Sequence, residues 1–229
     1  MRAALAVLFA IGLAGPAAAQ GTAPEPALSI RPFVMGMQES FAAVKTFDAV
    51  FGRSDASFWG GGVDLVLFQH YYVEVAASRL LKKNAVLTGH RVAVLNGQTY
   101  DLGMPLTASI RPLEVVGGYR VTFWPRVVPY VGAGFGSYEY TETCQNDATR
   151  PNLCAALADP GETANVDTHH RGLVVVGGAE IRLHRWVGIA ADVHFTRVPG
   201  IIGAGGVSKE LGESNLGGVS ARFKVLVGR

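Results

Sequence analysis

The feature that most constrains this chain is a period-two alternation of apolar residues with small or polar ones. It is clearest in the stretch RWVGIAADVHFTRV, residues 185–198. Every second residue there is apolar: Val187, Ile189, Ala191, Val193 and Phe195. The intervening residues are small or polar: Gly188, Ala190, Asp192, His194 and Thr196. A period of two indicates an extended strand with one apolar face, which can contact either a protein core or lipid.

Eight runs of this kind follow one another along the chain: Leu28–Gln38, Phe58–Phe68, Tyr71–Leu81, Leu113–Phe123, Tyr130–Thr141, Leu173–Leu183, Arg185–Val198 and Gly217–Val227. Each has about ten residues, the length that a tilted strand needs to cross a bilayer. The connections alternate between short and long. The short ones are Gln69-His70, Trp124–Pro129 and His184-Arg185, and the long ones are Glu39–Ser57, Lys82–Pro105, Glu142–Arg171 and Pro199–Leu216. This asymmetry predicts an all-β, eight-stranded antiparallel transmembrane barrel with short periplasmic turns and long extracellular loops.

Two of the long connections contain recognisable local patterns. Arg91–Leu95 and Gln98–Leu102 flank Asn96-Gly97, which predicts a projecting hairpin with a type I′ turn. Counting this hairpin as membrane strands would give the alternative, a ten-stranded barrel. In Phe41–Phe51 four apolar residues have helical spacing and could cap the barrel mouth, but we favour a packed loop.

The alternation slips near Arg111-Pro112, which predicts a β-bulge at that point.

The N-terminus predicts export. Met1-Arg2 supplies a positive charge, an uncharged apolar run follows, and Ala17-Ala18-Ala19 precedes Gln20 as a cleavage pattern. We expect residues 1–19 to be a signal peptide cleaved between Ala19 and Gln20, residues 20–27 a flexible lead-in, and residues 28–229 the barrel. Only 17% of the residues are charged, below the roughly 25% usual in soluble domains, as fits a surface that faces lipid.

Charge and cysteine content narrow the partners further. The formal net charge is only +2, which argues against a nucleic-acid partner. Cys144 and Cys154 lie ten positions apart in a polar segment, and in an oxidising compartment they predict a loop-closing disulfide. A two-cysteine metal site is less favoured, because no second pair of ligands accompanies them.

The two faces of the predicted strands differ in chemistry. On one face of each predicted strand the residues are small or polar. The charged and histidine residues of this face predict a lumen network: Asp64, Glu74, Glu114, Arg120, Glu180, Arg182, Asp192, His194, Arg222 and Lys224. Buried charges must pair or stay hydrated, so these ten residues should contact one another or water. The residues on the opposite face of the strands carry almost no charge, as contact with outer-membrane lipid requires. Aromatic residues at the strand ends predict interfacial girdles: Phe58, Trp59, Tyr71, Phe123, Trp124, Tyr130, Tyr138 and Trp186.

These features together give the chain a family resemblance. The signal peptide, the eight alternating runs, the glycine steps at 60–62 and 117–118, and YVGAGFG at 130–136 resemble small outer-membrane β-barrel proteins of the OmpA, OmpX and OmpW-like group. The resemblance implies the secretion and barrel-assembly machineries as partners. Such barrels usually finish on an aromatic residue that the assembly machinery reads, whereas this sequence finishes VLVGR, with Phe223 as a possible substitute.

No residue pattern supports a catalytic, cofactor or metal assignment. Asp192 and His194 could combine with Ser220 or Ser78, but residues two apart on a strand do not form a catalytic pair by spacing alone. His169-His170 near Asp167 could bind a metal, yet adjacent strand residues point to opposite faces. We therefore expect a protein that is not an enzyme.

The function that the sequence favours is a structural or surface-interaction role, or a narrow conduit for small hydrophobic molecules. The alternative is a porin-like transporter, and a lipid-modifying enzyme comes third. The sequence identifies no extracellular or hydrophobic ligand.

Overall fold

A computed structural model describes residues 27–124, 126–144, 165–203 and 206–228. The described residues form nine strands: β1 Leu28–Phe41, β2 Asp55–Leu67, β3 Tyr71–Leu80, β4 Leu87–Leu95, β5 Gln98–Arg120, β6 Val127–Cys144, β7 Asn165–His184, β8 Val187–Arg197 and β9 Gly218–Val227. Two short α-helices lie in the connections, α1 Val44–Phe51 and α2 Gly206–Glu210, and a 3-10 turn covers Lys83–Ala85. The predicted signal peptide and nearly all of the predicted lead-in fall outside the described residues and remain predictions.

Eight of the nine strands form one closed antiparallel ring in the order β1, β2, β3, β5, β6, β7, β8, β9. The ring closes because β1 pairs with both β2 and β9, as in Arg31 opposite Asp64 and Met37 opposite Arg222. Within the described residues β4 pairs with β5 alone. The predicted eight-stranded barrel is therefore confirmed, and the ten-stranded alternative is wrong.

The hairpin of β4 and β5 projects beyond the ring as predicted. Its turn residues, Asn96 and Gly97, have φ values of 54° and 76°, the pair of positive angles that a type I′ turn requires. The strand ends that the long connections join lie at this end of the barrel, and the strand ends that the short connections join lie at the other. By the rule for outer-membrane barrels, the hairpin end is extracellular.

The predicted bulge at Arg111-Pro112 is wrong. Arg111 pairs with Glu139 and Pro112 with Tyr138 without a register shift. The pairing of β4 with β5 does shift, between Arg91 and Val92 of β4. The alternation only seems to slip because the apolar face changes sides along β5. Above Pro112 the inward residues are apolar, including Ile110, and below it the outward residues are apolar.

The segment for which we favoured a packed loop contains a helix. α1 covers the extracellular mouth, and its Phe47 is buried and stacks on Phe41 with ring centroids 4.2 Å apart. A glutamate from the connection between β8 and β9 caps α1, because the Glu213 carboxylate accepts hydrogen bonds from the backbone N–H groups of Lys45 and Thr46 at 3.1 and 2.7 Å. A local pattern cannot anticipate a cap that comes from so distant a part of the chain.

The barrel exterior carries a continuous apolar surface. Its exposed residues come from successive strands: Ile30, Val34, Val63, Val75, Leu113, Val115, Val131, Phe135, Leu173, Val175, Val193, Phe195, Val219 and Phe223. Such a large exposed apolar area is stable only against lipid. We call this surface the lipid belt.

The aromatic girdle is partly wrong as predicted. Trp59, Tyr71, Phe123, Trp124 and Trp186 are exposed on the outside, whereas Phe58, Tyr130 and Tyr138 are buried inside the barrel. The last three share a face with inward residues, so their position near a strand end did not decide their direction.

Among the described residues, neither helix has the length and apolar character needed to cross a membrane.

Candidate functional site

The barrel interior holds the polar residues that the sequence assigned to a lumen network. Nine of the ten are buried there: Asp64, Glu74, Glu114, Arg120, Glu180, Asp192, His194, Arg222 and Lys224. The tenth, Arg182, is half-buried near the short-turn end of β7. The strand alternation brings these side chains to one face, and closure of the ring brings the face of each strand towards the others.

One ionic cluster joins strands from opposite walls. Lys224 Nζ lies 2.6 Å from Glu74 Oε2 and 3.3 Å from Asp192 Oδ2. Arg222 Nη1 lies 2.6 Å from Glu74 Oε1, and its Nε donates to Asp192 Oδ1 at 2.9 Å. The Tyr130 hydroxyl also donates to Asp192, at 2.5 Å. Two cations therefore face two carboxylates, so the cluster is close to neutral.

A second ionic cluster lies beside the first. Glu180 accepts hydrogen bonds from Arg120 at 2.7 Å and from Arg31 at 2.8 and 3.0 Å, and Arg31 also donates to Asp64 at 3.2 Å. Arg31 was missing from the predicted network. Its position in the alternation could have revealed it, because it falls between Ile30 and Pro32, which are exposed on the outside.

The third group of polar residues lies where the ionic interior meets the extracellular part. His194 is fully buried, with Nε2 3.0 Å from Asp192 Oδ1 and Nδ1 3.7 Å from Glu114 Oε2. The Tyr138 hydroxyl donates to Glu114 at 2.6 Å. Glu39, also missing from the predicted network, is buried and accepts a long hydrogen bond from Thr196 at 3.5 Å.

The catalytic arrangement considered above, Asp192 and His194 with a serine, is not formed among the described residues. Ser220 pairs with His194 across neighbouring strands, but within the described residues neither ring nitrogen of His194 makes a hydrogen bond to a serine. Ser78 lies on β3 and pairs with Gly60. The short distance between Asp192 and His194 belongs to the ionic interior, where Asp192 also contacts Arg222 and Lys224.

Little space remains inside the barrel. A cavity of about 10 Å³ lies between the two ionic clusters, lined among others by Arg31, Tyr72 and Lys224. This volume is near the minimum that one water molecule occupies. At the level of the two ionic clusters, buried side chains therefore occupy the lumen.

An apolar layer closes the lumen on the extracellular side. Its buried residues come from six strands, from α1 with the residue before it, and from the connection between β8 and β9: Phe41, Ala43, Phe47, Ala56, Phe58, Leu80, Leu87, Ala108, Ile110, Tyr138, Tyr140, Val198, Ile201, Ile202 and Leu216. We call this layer the apolar plug. It packs above the ionic clusters and separates them from the extracellular face.

At the extracellular end of β6, a buried tyrosine, Tyr140, contacts a half-buried carboxylate, Glu142. Tyr140 donates a hydrogen bond to Glu142 on the same strand.

The histidines considered as metal ligands are separated by the strand. His169 faces outward, and its Nε2 lies 3.8 Å from Asp167 Oδ1. Three residues each bring one ligand atom to within 4.8 Å of the other two: Glu139, Asp167 and His169. His169 and Asp167 are exposed, and Glu139 already contacts Arg111, so the arrangement does not by itself make a metal site.

Cys144 ends β6 at the extracellular rim. Its predicted partner Cys154 lies outside the described residues, so the disulfide stays a prediction.

No protein-family model matches the chain, and no curated protein matches it. Solved structures similar to it include the N-terminal β-barrel domain of OprF from Pseudomonas aeruginosa, at 12% identity and a TM-score of 0.45, covering 88% of this chain and 97% of that one. The attachment invasion locus protein Ail of Yersinia pestis is similar at 10% identity and a TM-score of 0.45, covering 89% of this chain and 98% of that one. The outer membrane protein OprG from Pseudomonas aeruginosa is similar at 11% identity and a TM-score of 0.44, covering 88% of this chain and 92% of that one. These likenesses concern the β-barrel fold and leave the role of this chain open.

Proposed function

We propose that the protein is an outer-membrane barrel with a closed lumen, whose role is structural or lies in contacts made at its extracellular face. The single observation that carries this proposal is the filled interior. Ionic clusters occupy the lower lumen, and the apolar plug covers them. Both layers favour a surface role over passage of a solute.

The ionic clusters support a closed lumen because their charges depend on one another. Glu74 contacts both Arg222 and Lys224, and Glu180 contacts both Arg31 and Arg120. A path for a solute would have to separate such pairs inside a barrel wall, which leaves unpaired buried charges at a cost of several kcal/mol. The cavity between the two clusters is about one water in size.

The extracellular end supports a role in contact with other molecules. The hairpin of β4 and β5 projects beyond the ring, and its outer part exposes Leu95, Tyr100 and Leu102. These residues lie beyond the lipid belt, where water rather than lipid is the ordinary neighbour. Exposed apolar side chains on an ordered projection are typical of a surface that binds another molecule.

Conductance across a planar bilayer tests the closed lumen. We expect the purified full-length protein, with heat-modifiable gel migration as the check of folding, to give no stable single-channel steps. Stable steps from the folded protein would contradict the proposal and favour a porin-like transporter. A variant with Phe47 and Phe58 replaced by Ser has a weakened apolar plug. Its conductance is compared with that of the wild type.

The runner-up, a narrow conduit for small hydrophobic molecules, would need α1 and the apolar plug to move. It can be tested by uptake of a fluorescent hydrophobic dye into protein-containing vesicles. Comparing lipopolysaccharide masses in cells with and without the protein tests the third possibility, a lipid-modifying enzyme.

The proposal includes export and assembly in the outer membrane. We expect the mature protein to begin at Gln20 and to fractionate with outer-membrane lipid, after transport by the secretion machinery and folding by the barrel-assembly machinery. The mass of the purified protein and membrane fractionation check both points.

A further inference from the structure

A groove opens on the outside of the barrel wall at its extracellular rim. It has a volume of about 740 Å³ and lies where β3 and β5 separate. The pairing of these two strands ends at Ala77 opposite Leu113, and β4 joins β5 only from Ala108 upwards. The side of β5 that faces β3 and β4 therefore has no neighbouring strand at residues 109–112.

The sequence of β5 suits this gap. Pro112 lacks a backbone N–H, so it is tolerated where a strand has an unpaired side. β3 continues past the gap to Leu80, held by its pairing with Phe58 of β2. Ordered strands thus line the groove on both sides, and Lys82, Asn84 and Ala85 of the connection between β3 and β4 complete it.

The groove lies at the boundary between the lipid belt and the extracellular side. Directly below it, Val63, Val75 and Leu113 face outward and belong to the belt. At the level of the groove, the outward residue of β2 is Trp59, and tryptophan is enriched where membrane meets water. The lower part of the groove therefore meets acyl chains and the upper part meets headgroups.

The charge of the groove is predominantly positive. Its lining includes Arg79, Lys82 and Arg111, against one carboxylate, Glu139. Arg79 lies over the Trp59 ring, 4.4 Å from its centroid, which holds the guanidinium at the interface. Glu139 lies 3.5 Å from Arg111, while in the described part of the chain no salt bridge is made by Arg79 or Lys82.

We propose that this groove binds the phosphorylated headgroup of a glycolipid of the outer leaflet, with its acyl chains against the lipid belt. Arginine and lysine are the side chains that bind phosphate best, and cations beside a membrane attract anionic lipid. The apolar wall directly below the cations favours a lipid over a soluble anion. The inference is separate from the closed-lumen proposal, because a barrel that conducts could have the same groove.

Native mass spectrometry of the full-length protein in a neutral detergent tests the inference, with bis-phosphorylated lipid A as the probe. We expect the wild type to retain lipid A, and Arg79→Gln combined with Lys82→Gln to retain it about tenfold less, given the contribution of each cation near an anionic lipid. The matched control is Arg126→Gln with Arg185→Gln at the short-turn rim. Arg185 also lies near a tryptophan, 5.9 Å from the Trp186 ring centroid.

A second variant changes the binding in the opposite direction. Glu139→Gln removes the one carboxylate and frees Arg111, so we expect it to retain more lipid A than the wild type. All of these side chains lie on the surface, and heat-modifiable migration confirms that each variant is folded.

Lipid chemistry separates the possible ligands. We expect dephosphorylated lipid A and phosphatidylethanolamine to bind weakly to the wild type. The variant with Arg79→Gln and Lys82→Gln should bind these two lipids as weakly as the wild type does. Equal retention of lipid A by the wild type and the groove variant would overturn the inference, as would an equal loss in the control. Displacement of lipid A by millimolar inorganic phosphate would also overturn it, because the groove would then be a site for soluble anions.

Discussion

Arg31 Nη1 donates a hydrogen bond to Glu180 Oε1 at 2.8 Å, although 149 positions separate the two residues in the chain. Their strands, β1 and β7, are not neighbours in the ring, so the contact crosses the lumen. It joins opposite walls of the barrel at a point where both side chains are buried. The interior therefore does more than fill space, because it ties together strands that make no backbone contact.

Replacing Arg31 by Met tests the importance of this tie. Glu180 and Asp64 would lose a cation inside the barrel, and we expect the free energy of unfolding to fall by about 3–5 kcal/mol. Urea unfolding in lipid vesicles, followed by tryptophan fluorescence, measures the change. Arg53→Met is the control, since Arg53 pairs with Asp55 at a half-exposed site where a salt bridge is worth about 1 kcal/mol or less. Similar losses in both variants would contradict the structural role of Arg31.

Replacing Val193 by Arg tests the lipid belt. Val193 faces outward on β8, and a cation facing the middle of the bilayer costs about 2–4 kcal/mol. We expect the variant to assemble poorly, measured as the fraction with heat-modifiable migration. Gln38→Arg should assemble normally, because Gln38 also faces outward but lies beside Asp55 and Ser57, above the belt. Normal assembly of Val193→Arg would mean that this face does not meet lipid.

Two glycines form a matched pair for close packing. A Cβ at Gly134 would lie 2.0 Å from the Val115 carbonyl oxygen, whereas a Cβ at Gly177 would meet no atom within 4 Å. We expect Gly134→Ala to lower the free energy of unfolding by about 1–3 kcal/mol, the usual cost of overpacking. Gly177→Ala should leave it nearly unchanged, and the reverse order in urea unfolding would refute the described contact between β5 and β6.

The Glu213 cap on α1 should control the stability of the plug. Glu213→Ala removes the acceptor for two backbone N–H groups at the start of the helix, a loss worth about 1 kcal/mol for a typical cap. Hydrogen exchange over residues 44–51 should become faster, while exchange in β1 stays the same. Glu210→Ala, which changes an exposed glutamate of α2, is the control and should leave α1 unchanged.

The predicted disulfide between Cys144 and Cys154 can be tested without perturbing the barrel. We expect the native protein to resist labelling by a maleimide reagent and to take up two labels after reduction. Labelling of the native protein at both positions, read by mass spectrometry, would show that the cysteines are not joined to each other.

Local pattern was sufficient for the architecture. Alternation with a period of two predicted eight strands, the Asn96-Gly97 pair predicted the projecting hairpin, and the lengths of the connections predicted which end carries the loops. These properties depend on a few neighbouring residues, because side chains of a strand alternate between its faces whatever lies beyond them. The same parity brought Asp192 and Lys224 into the lumen.

The tertiary structure decided what each face touches at each height of the barrel. Phe58, Tyr130 and Tyr138 resembled girdle residues, yet they point inward. Pro112 resembled a bulge, yet it marks the level where apolar residues change from the plug to the lipid belt. The sequence by itself determined strands, turns and alternating faces, since these follow from local geometry. Only closure of the ring decided the partners of Arg31 and the cap on α1, because those contacts join residues far apart in the chain.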